Sequence, residues 1–531
     1  MKKLKYLISG VLILSSFYLD INAQILNENT LKIARTLGLI DAFYVDTVNL
    51  NSLTEKVIVD LLRSLDPHST YISAKDVKEM NEQLIGNFEG IGIQFNILHD
   101  TVIVIEPIKN SPSERVGLKA GDRIVKINGE NVTGIGISTT GVKNRLMGPK
   151  GTKVNVTVFR PGTKGIYDFT ITRDKIPINS MDAAYMLNTE TAYFKFNKFS
   201  ATTEREFLDA LDSLKTKTLK NVIIDLRGNP GGYMIAAVAL ANQFLEGEKL
   251  VVYMEGRKTP REDFKSNGKG LLTKTNLVVL TDETSASASE IFAGAIQDWD
   301  RGIIAGRRTF GKGLVQSSFP LNDGSQIRLT IARYYTPTGR SIQSPYGEGY
   351  AKYIENYLKR FKNGERFNAD NIKLPDSLKC YTLVNKRTVY GGGGIMPDVF
   401  ISADTSWVTD YYIDLRSKEI FNSFILEYTD KNRNKILSEY KGIEDFRNRF
   451  EFSNEDIAWF IKMGNDAGIK YNDYQFNISK KEIQKILKAL VANTFWQSNG
   501  YFMIINENDN EINRILNLFY DPNEYRKILG Y

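Results

Sequence analysis

Cysteine occurs once and histidine twice in the 531 residues of this chain, and each scarcity closes off chemistry. With Cys380 as the single cysteine there can be no internal disulfide and no thiolate metal cluster, so its role is expected to be structural. His68 and His99 are too few for a multi-histidine metal site. Both also precede the segments that carry the chemistry below, so a Ser/His/Asp triad is poorly supplied and the base is expected to be another residue type. Neither a metal nor an organic cofactor is expected. Sustained basic blocks are also missing: the formal charge of +7 comes from 69 Lys and Arg against 62 Asp and Glu spread along the chain. No nucleic-acid partner is expected from that pattern. The one apolar run near the start, Tyr6 to Leu19, is 14 residues long, short of the roughly 20 usual for a spanning helix. Preceded by Lys2, Lys3 and Lys5 and followed by Ala23, it reads as a secretory signal cleaved after Ala23. That predicts export to the periplasm or cell envelope, with membrane association only if the leader is retained.

What is present looks globular, with hydrophobic content of 42% and charged content of 25%. A chain this long exceeds one hydrophobic core, so two to four domains are expected. After the leader (1–23), residues 24–86 carry apolar positions at helical spacing, Leu31, Ala34, Leu37 and then Leu53, Val57, Leu61, and predict a helical N-terminal segment. Over 87–174 the period becomes two, as in Ile91, Ile93, Phe95, Ile97 and Val154, Val156, Val158, with turns at Lys109-Asn110-Ser111-Pro112, Ala120-Gly121-Asp122 and Asn128-Gly129. This predicts a small β-rich domain. Residues 175–402 alternate apolar strands (Asn221 to Arg227, Leu250 to Met254, Leu277 to Thr281) with helices such as Tyr233 to Leu245, the pattern of an α/β core covered on both faces. Residues 403–531 read as a helical appendage without a catalytic constellation.

The turn Gly90-Ile91-Gly92-Ile93 opens the β-rich domain, and glycines there would leave backbone N–H groups free to converge on a carboxylate. The following stretch, Ser111 to Gly129, resembles the central helix, strand and turn of a PDZ domain. Such domains bind a chain end as an added strand, which makes Gly90 to Ile93 the candidate carboxylate loop.

The segment Thr284-Ser285-Ala286-Ser287-Ala288-Ser289-Glu290 opens a helix with apolar positions at 288, 291, 292, 295 and 296. Taken alone it is a serine N-cap; the same corner can also expose one hydroxyl beside unpaired N–H groups that would stabilise an oxyanion. A helix of about 12 residues rises ~18 Å, and the strand after it can return about as far. Lys312, between Gly311 and Gly313, could thus reach the helix start. Most lysines are solvated surface charges, but burial there would lower its pKa and make it a usable base.

Ser285 to Asp298 followed by Thr309 to Gln316 resembles the paired active-site motifs of the carboxyl-terminal processing (tail-specific) proteases. In that family the middle serine of Ser-Ala-Ser-Ala-Ser is the nucleophile, Ser287 here. The base is the lysine 25 positions later, Lys312, and a glutamine four residues beyond it, Gln316, orients it. The likeness extends from Leu65-Asp66-Pro67-His68-Ser69 through Asp225-Leu226-Arg227-Gly228-Asn229-Pro230-Gly231-Gly232 to Gly394-Ile395-Met396-Pro397-Asp398. It implies an oxyanion hole from the N–H groups of Gly232 and Ala288, and a structural role for Asp225. The fold expected is a multidomain α+β chain: helical N-terminal segment, PDZ-like domain, α/β serine protease core and helical C-terminal appendage. The activity implied is endopeptidase cleavage of protein or peptide substrates with free C-termini, without cofactors, with room for a regulatory protein partner. The alternative is a non-catalytic PDZ-type peptide-binding scaffold or carrier on the same fold. Oligomeric state is not encoded in any of these motifs.

Overall fold

A computed structural model describes residues 27–161, 163, 165–214 and 218–531; the leader expected at 1–23 lies outside them. Among the described residues, no helix is long and apolar enough to cross a membrane.

The core is a six-stranded sheet in the order Met181–Met186, Thr191–Phe196, Asn221–Asp225, Asn276–Thr281, Ile303–Gly306 and Val399–Phe400. Its first pair is antiparallel and the rest are parallel. Strands buried on both faces should be continuously apolar, and Asn221–Asp225 and Ile303–Gly306 are buried at every position. Alternate side chains serve two different cores. Val222, Ile224, Leu277 and Val279 pack with the helices Met234–Asn242 and Ala288–Asp298. Ile223, Val278 and Leu280 pack with Ile512, Ile515, Phe519, Tyr525 and Leu529. Those five belong to the last two helices, Asn510–Tyr520 and Pro522–Leu529. The last two helices are therefore one of the two layers over the core sheet.

One expected core strand lies elsewhere. Leu250–Glu255 joins a second sheet, antiparallel to both Glu262–Lys265 and Gln326–Tyr335, which also pairs with Leu314–Pro320 and Thr70–Ile72. Only its Val251 and Val252 are buried, a half-covered pattern suited to a smaller antiparallel sheet.

The PDZ-like domain is a sheet ordered Ile93–Leu98, Thr101–Pro107, Arg123–Ile127, Lys153–Phe159, Ile166–Thr172. Asn128 and Gly129 turn its short hairpin with φ of 50° and 84°, the paired positive values that favour Asn-Gly at such turns. Its own core holds Ile91, Val102, Val104, Ile124, Val142, Leu146 and Val156. A two-stranded ribbon, Asn87–Gly90 against Asp174–Pro177, joins it to the rest.

The N-terminal segment is helical as expected, over Glu28–Phe43, Leu50–Arg63 and Ala74–Ile85, yet the first helix buries no residue. The C-terminal region forms its own core around Phe421, Phe424, Phe446, Phe460 and Leu487, and it bridges the other two bodies. Arg123 of the PDZ-like domain pairs with Asp430 at 2.6 Å. The helix Asp473–Ile505 breaks at Trp496 and Gln497. At that break Gln497 reaches Glu106 of the PDZ-like domain at 3.3 Å, while Asn499 accepts the N–H of Ala184 in the core sheet at 2.8 Å. Cys380 is half-buried in the strand Lys379–Tyr381, with no disulfide.

Candidate active site

The strand Asn276–Thr281 delivers the chain to the serine-rich corner, and the helix begins at Ala288. Four other described helices start at a serine: Ser111, Ser138 and Ser453 have φ of −78°, −88° and −69° and each hydroxyl accepts an N–H of the first turn, while Ser73 has φ −62° without such a bond. That is the ordinary capping geometry. Ser287 instead has φ 55° and ψ −115°, a conformation costing about 1–3 kcal/mol. Capping requires no such strain. The neighbouring serines are fully buried and committed: Ser285 donates to the Leu226 carbonyl at 2.7 Å and Ser289 to the Asn229 carbonyl at 3.0 Å. Of the three, Ser287 lines the cavity.

Those hydrogen bonds stitch the corner to the loop after Asn221–Asp225. Asn229 also accepts the Ala286 N–H at 3.0 Å, and its side chain takes the Gly231 N–H at 2.8 Å. Glycine is obligatory in that loop. A Cβ on Gly232, at φ 146°, would lie 1.9 Å from the Phe199 carbonyl oxygen, and one on Gly231 would lie 2.7 Å from Ser287 Cβ and 2.9 Å from Ala288 N. The two backbones thus meet at Ser287. Among the described residues, neither the Gly232 N–H nor the Ala288 N–H donates to any protein group. Asp225 is fully buried between Tyr193, Lys195 and Arg227, a structural ion cluster beneath the loop.

Lys312 returns to the same place because the strand Ile303–Gly306 runs parallel beside Asn276–Thr281, and Phe310 N–H then bonds the Ser285 carbonyl at 2.9 Å. The join is made by Glu290. Its Oε2 accepts the N–H groups of Ser287 (2.8 Å) and Lys312 (2.9 Å), and its Oε1 those of Gly311 (2.7 Å) and the Thr309 hydroxyl (2.6 Å). Burial pushes the carboxyl up to about 7, against the pull of these four donors. The Tyr334 hydroxyl lies against the Lys312 carbonyl and donates to that of Ser287 at 3.1 Å. One carboxylate and one phenol therefore hold the two candidate residues in fixed relation.

Burial, and next the charge of Arg328, hold the Lys312 ammonium below its ordinary pKa of 10.5, while Glu290 and Asp66 oppose them. Ser287, Gly232, Lys312, Gln316 and Arg328 all line one cavity of about 1000 Å³, together with Tyr233, Met234, Ile291 and Leu314. Gln316 does not hold Lys312 through its amide nitrogen: Nε2 is buried without a hydrogen-bond partner.

Several residues here were not selected from the sequence. Glu290 could have been, since Ser287-Ala288-Ser289-Glu290 is a capping-box spacing. His68 lies far upstream in sequence, yet Asp66 accepts the N–H groups of His68 and Ser69, each at 2.8 Å, and turns the loop toward the site. The His68 ring packs against Phe310 and edge-on to Tyr353. Burial, followed by the charge of Lys312, lowers its pKa to about 4, so the imidazole is neutral near pH 7. Arg328 is an alternating residue of an unremarkable strand, and no local signal marks it.

The candidate peptide loop lies away from this cavity. Gly90 ends the ribbon strand; Ile91 and Gly92 are buried, and their carbonyls accept from Ser113 and Ile108. Ile93 begins the outer strand Ile93–Leu98, whose second edge has no strand partner among the described residues.

A PDZ-like domain tethered to an α/β core, with a strained serine and a half-buried lysine lining one cavity, is the arrangement expected of PDZ-containing serine peptidases. Comparison with known proteins agrees. The family model "Peptidase family S41" matches residues 190–349, "PDZ domain" matches 90–167, and a family of unknown function matches 411–497. Carboxy-terminal processing protease CtpB of Bacillus subtilis (strain 168) is 34% identical over 354 residues, covering 66% of this chain and 71% of that protein. CtpA of the same organism is 35% identical over 312 residues, covering 59% of this chain and 66% of that protein, just under two thirds of its length. A carboxy-terminal-processing protease of Bartonella bacilliformis is 32% identical, covering 64% of this chain and 80% of that protein. Among solved structures, a photosystem II D1 C-terminal processing protease is 27% identical with a TM-score of 0.34, covering 60% of this chain and 91% of the other. The chain belongs to peptidase family S41, the carboxy-terminal processing proteases.

Proposed function

We propose that this protein is an exported serine endopeptidase that cleaves protein substrates with a Ser287/Lys312 dyad and selects them through their C-terminal ends. The observation that carries this reading is the joining of the Ser287 and Lys312 backbones by one oxygen of Glu290, Oε2, at the edge of one cavity. Neutral Lys312 takes the Ser287 hydroxyl proton as the oxygen attacks the scissile carbonyl. The oxyanion is received by the N–H groups of Gly232 and Ala288, which have no other acceptor. Lys312 then passes the proton to the leaving amine, and water releases the acyl group by the same steps in reverse. Gln316 lines the same cavity with its amide nitrogen unpartnered, where it can bond the neutral Lys312 amine. A substrate's C-terminus adds as a strand along Ile93–Leu98, its carboxylate at the Gly90 to Ile93 turn.

The test is incubation of the chain lacking residues 1–23, and of Ser287→Ala, with an unstructured protein, with products read by mass spectrometry. Cleavage by the first and none by the second is expected. An intact substrate in both, with the peptide still bound, would favour a peptide-binding scaffold.

A further inference from the structure

The catalytic cavity contains a guanidinium without a partner. Arg328 sits on Gln326–Tyr335, the central strand of the second sheet, opposite Ser318 on one side and Thr70 on the other. Cross-strand partners share a face, and Ser318, Gln316 and Arg328 all line the cavity with Ser287 and Lys312. Other core arginines have acceptors: Arg227 pairs with Asp225, Arg307 with Glu283, Arg308 with Glu365, Arg340 with Asp298 and Arg387 with Asp300, while Arg301 donates to the carbonyls of Phe244, Leu272 and Thr275. Arg328 is half-buried yet has no hydrogen bond or ion pair with any described residue. The cavity wall leaves it uncompensated. It carries Lys198, Lys312 and Arg328 against the single carboxylate of Glu204, which already accepts from Gln243 at 2.9 Å. A partly desolvated guanidinium without an acceptor presents a planar pair of donors matched to a carboxylate.

We propose that Arg328 is a specificity residue of this cavity, receiving in bidentate fashion a substrate carboxylate carried close to the bond that Ser287 attacks. This rests on the reading of Ser287 and Lys312 above. The carboxylate comes from an Asp or Glu side chain flanking that bond, or from the α-carboxylate of a substrate whose end lies just beyond it. Charge-assisted hydrogen bonds of this kind correspond to a preference on the order of ten- to a hundredfold.

The test uses quenched fluorescent peptides built around a mapped cleavage site, with Asp or Glu against Asn or Gln at each flanking position and a C-terminal amide throughout. A second set varies only acid against amide at the chain end. The ratio of kcat/KM within each pair is measured for wild type, Arg328→Ala and Arg328→Lys, so that any general effect of the substitution on Lys312 cancels. Expected is a preference for the carboxylate at one position in wild type, lost in Arg328→Ala and partly kept in Arg328→Lys. The first set assigns it to a side chain, the second to the chain end. The same ratios are read as Kd on a Ser287→Ala background, which keeps the question answerable if turnover is undetectable. Wild-type indifference to the carboxylate in both sets, or a preference that survives unchanged in Arg328→Ala, would overturn the assignment. Cleavage of the neutral peptide by wild type and not by Ser287→Ala reports separately on the dyad.

Discussion

Replacing Glu290 by glutamine should disable the enzyme without emptying the cavity. The carboxylate accepts four donors at 2.6 to 2.9 Å, two on each oxygen. Glutamine has one oxygen. Aimed at Ser287 and Lys312 it keeps those two bonds, and its amide can donate to the Thr309 hydroxyl. The Gly311 N–H is then left facing a donor. One buried unsatisfied N–H costs about 1–3 kcal/mol, and the strain falls on the turn that places Lys312. A shift near 1 Å in a catalytic group costs on the order of a hundredfold in rate, so kcat should fall about that much while KM changes little. The pH dependence gives an independent readout. The folded pKa of about 7 lies above the ordinary 4.5, so the folded state holds a proton that the unfolded state has lost. The associated stability is fully present below pH 4.5 and is lost as pH rises through 7. Glutamine removes that slope. The assay is denaturant unfolding from pH 4 to 8 for both proteins, alongside steady-state kinetics. Full kcat in Glu290→Gln, or identical pH slopes, would refute this account.

Four further outcomes follow from the geometry. kcat/KM should rise with pH along a limb set below 10.5, because Lys312 acts as the neutral amine and its ammonium is disfavoured first by burial and next by Arg328; a flat profile from pH 5 to 10 would contradict it. Gly232→Ala places a Cβ 1.9 Å from the Phe199 oxygen, displacing an oxyanion donor, and should lower kcat by about a hundred- to a thousandfold; near-normal kcat would remove Gly232 from the reaction. Truncation at residue 402 strips five apolar side chains from the sheet's second face, roughly 8–15 kcal/mol at ~1.5–3 each, as much as a domain's whole stability. Cooperative unfolding of the truncated chain, seen by calorimetry, would show that layer to be dispensable. Amidating the C-terminus of a long protein substrate should slow its cleavage; equal rates for acid and amide would exclude the Ile93–Leu98 edge from selection.

The local signals were legible where they are periodic or conformationally demanding. Period-two runs located the PDZ-like strands, Asn128-Gly129 marked a hairpin whose φ values bear it out, and the strand-to-serine corner was placed within a residue or two of its position. Apolar runs locate two core strands to within two residues: the run Asn221 to Arg227 forms a strand that ends at Asp225, and the run from Leu277 forms one that starts at Asn276. Misplacement of Leu250–Glu255 shows the limit. Its composition says strand, but which sheet it joins depends on Tyr334 and Tyr335, roughly 80 residues later along a path set by loop closure.

What the sequence determined by itself was the class of each segment and which residues are candidates for the chemistry, because hydrophobic period, turn residues and short motifs act over a few neighbouring residues. Only the tertiary structure decided what covers and surrounds them. It put the last two helices over the sheet, the Asp66 to Ser69 loop beneath Lys312, Glu290 between the two candidate residues and an unpaired Arg328 in the cavity. It also held Ser287, at the N-cap position, in a positive-φ conformation that an ordinary serine cap does not need. These are long-range consequences of packing. Which buried group meets which charge is set when distant elements close on one another, and no window of adjacent residues contains that information.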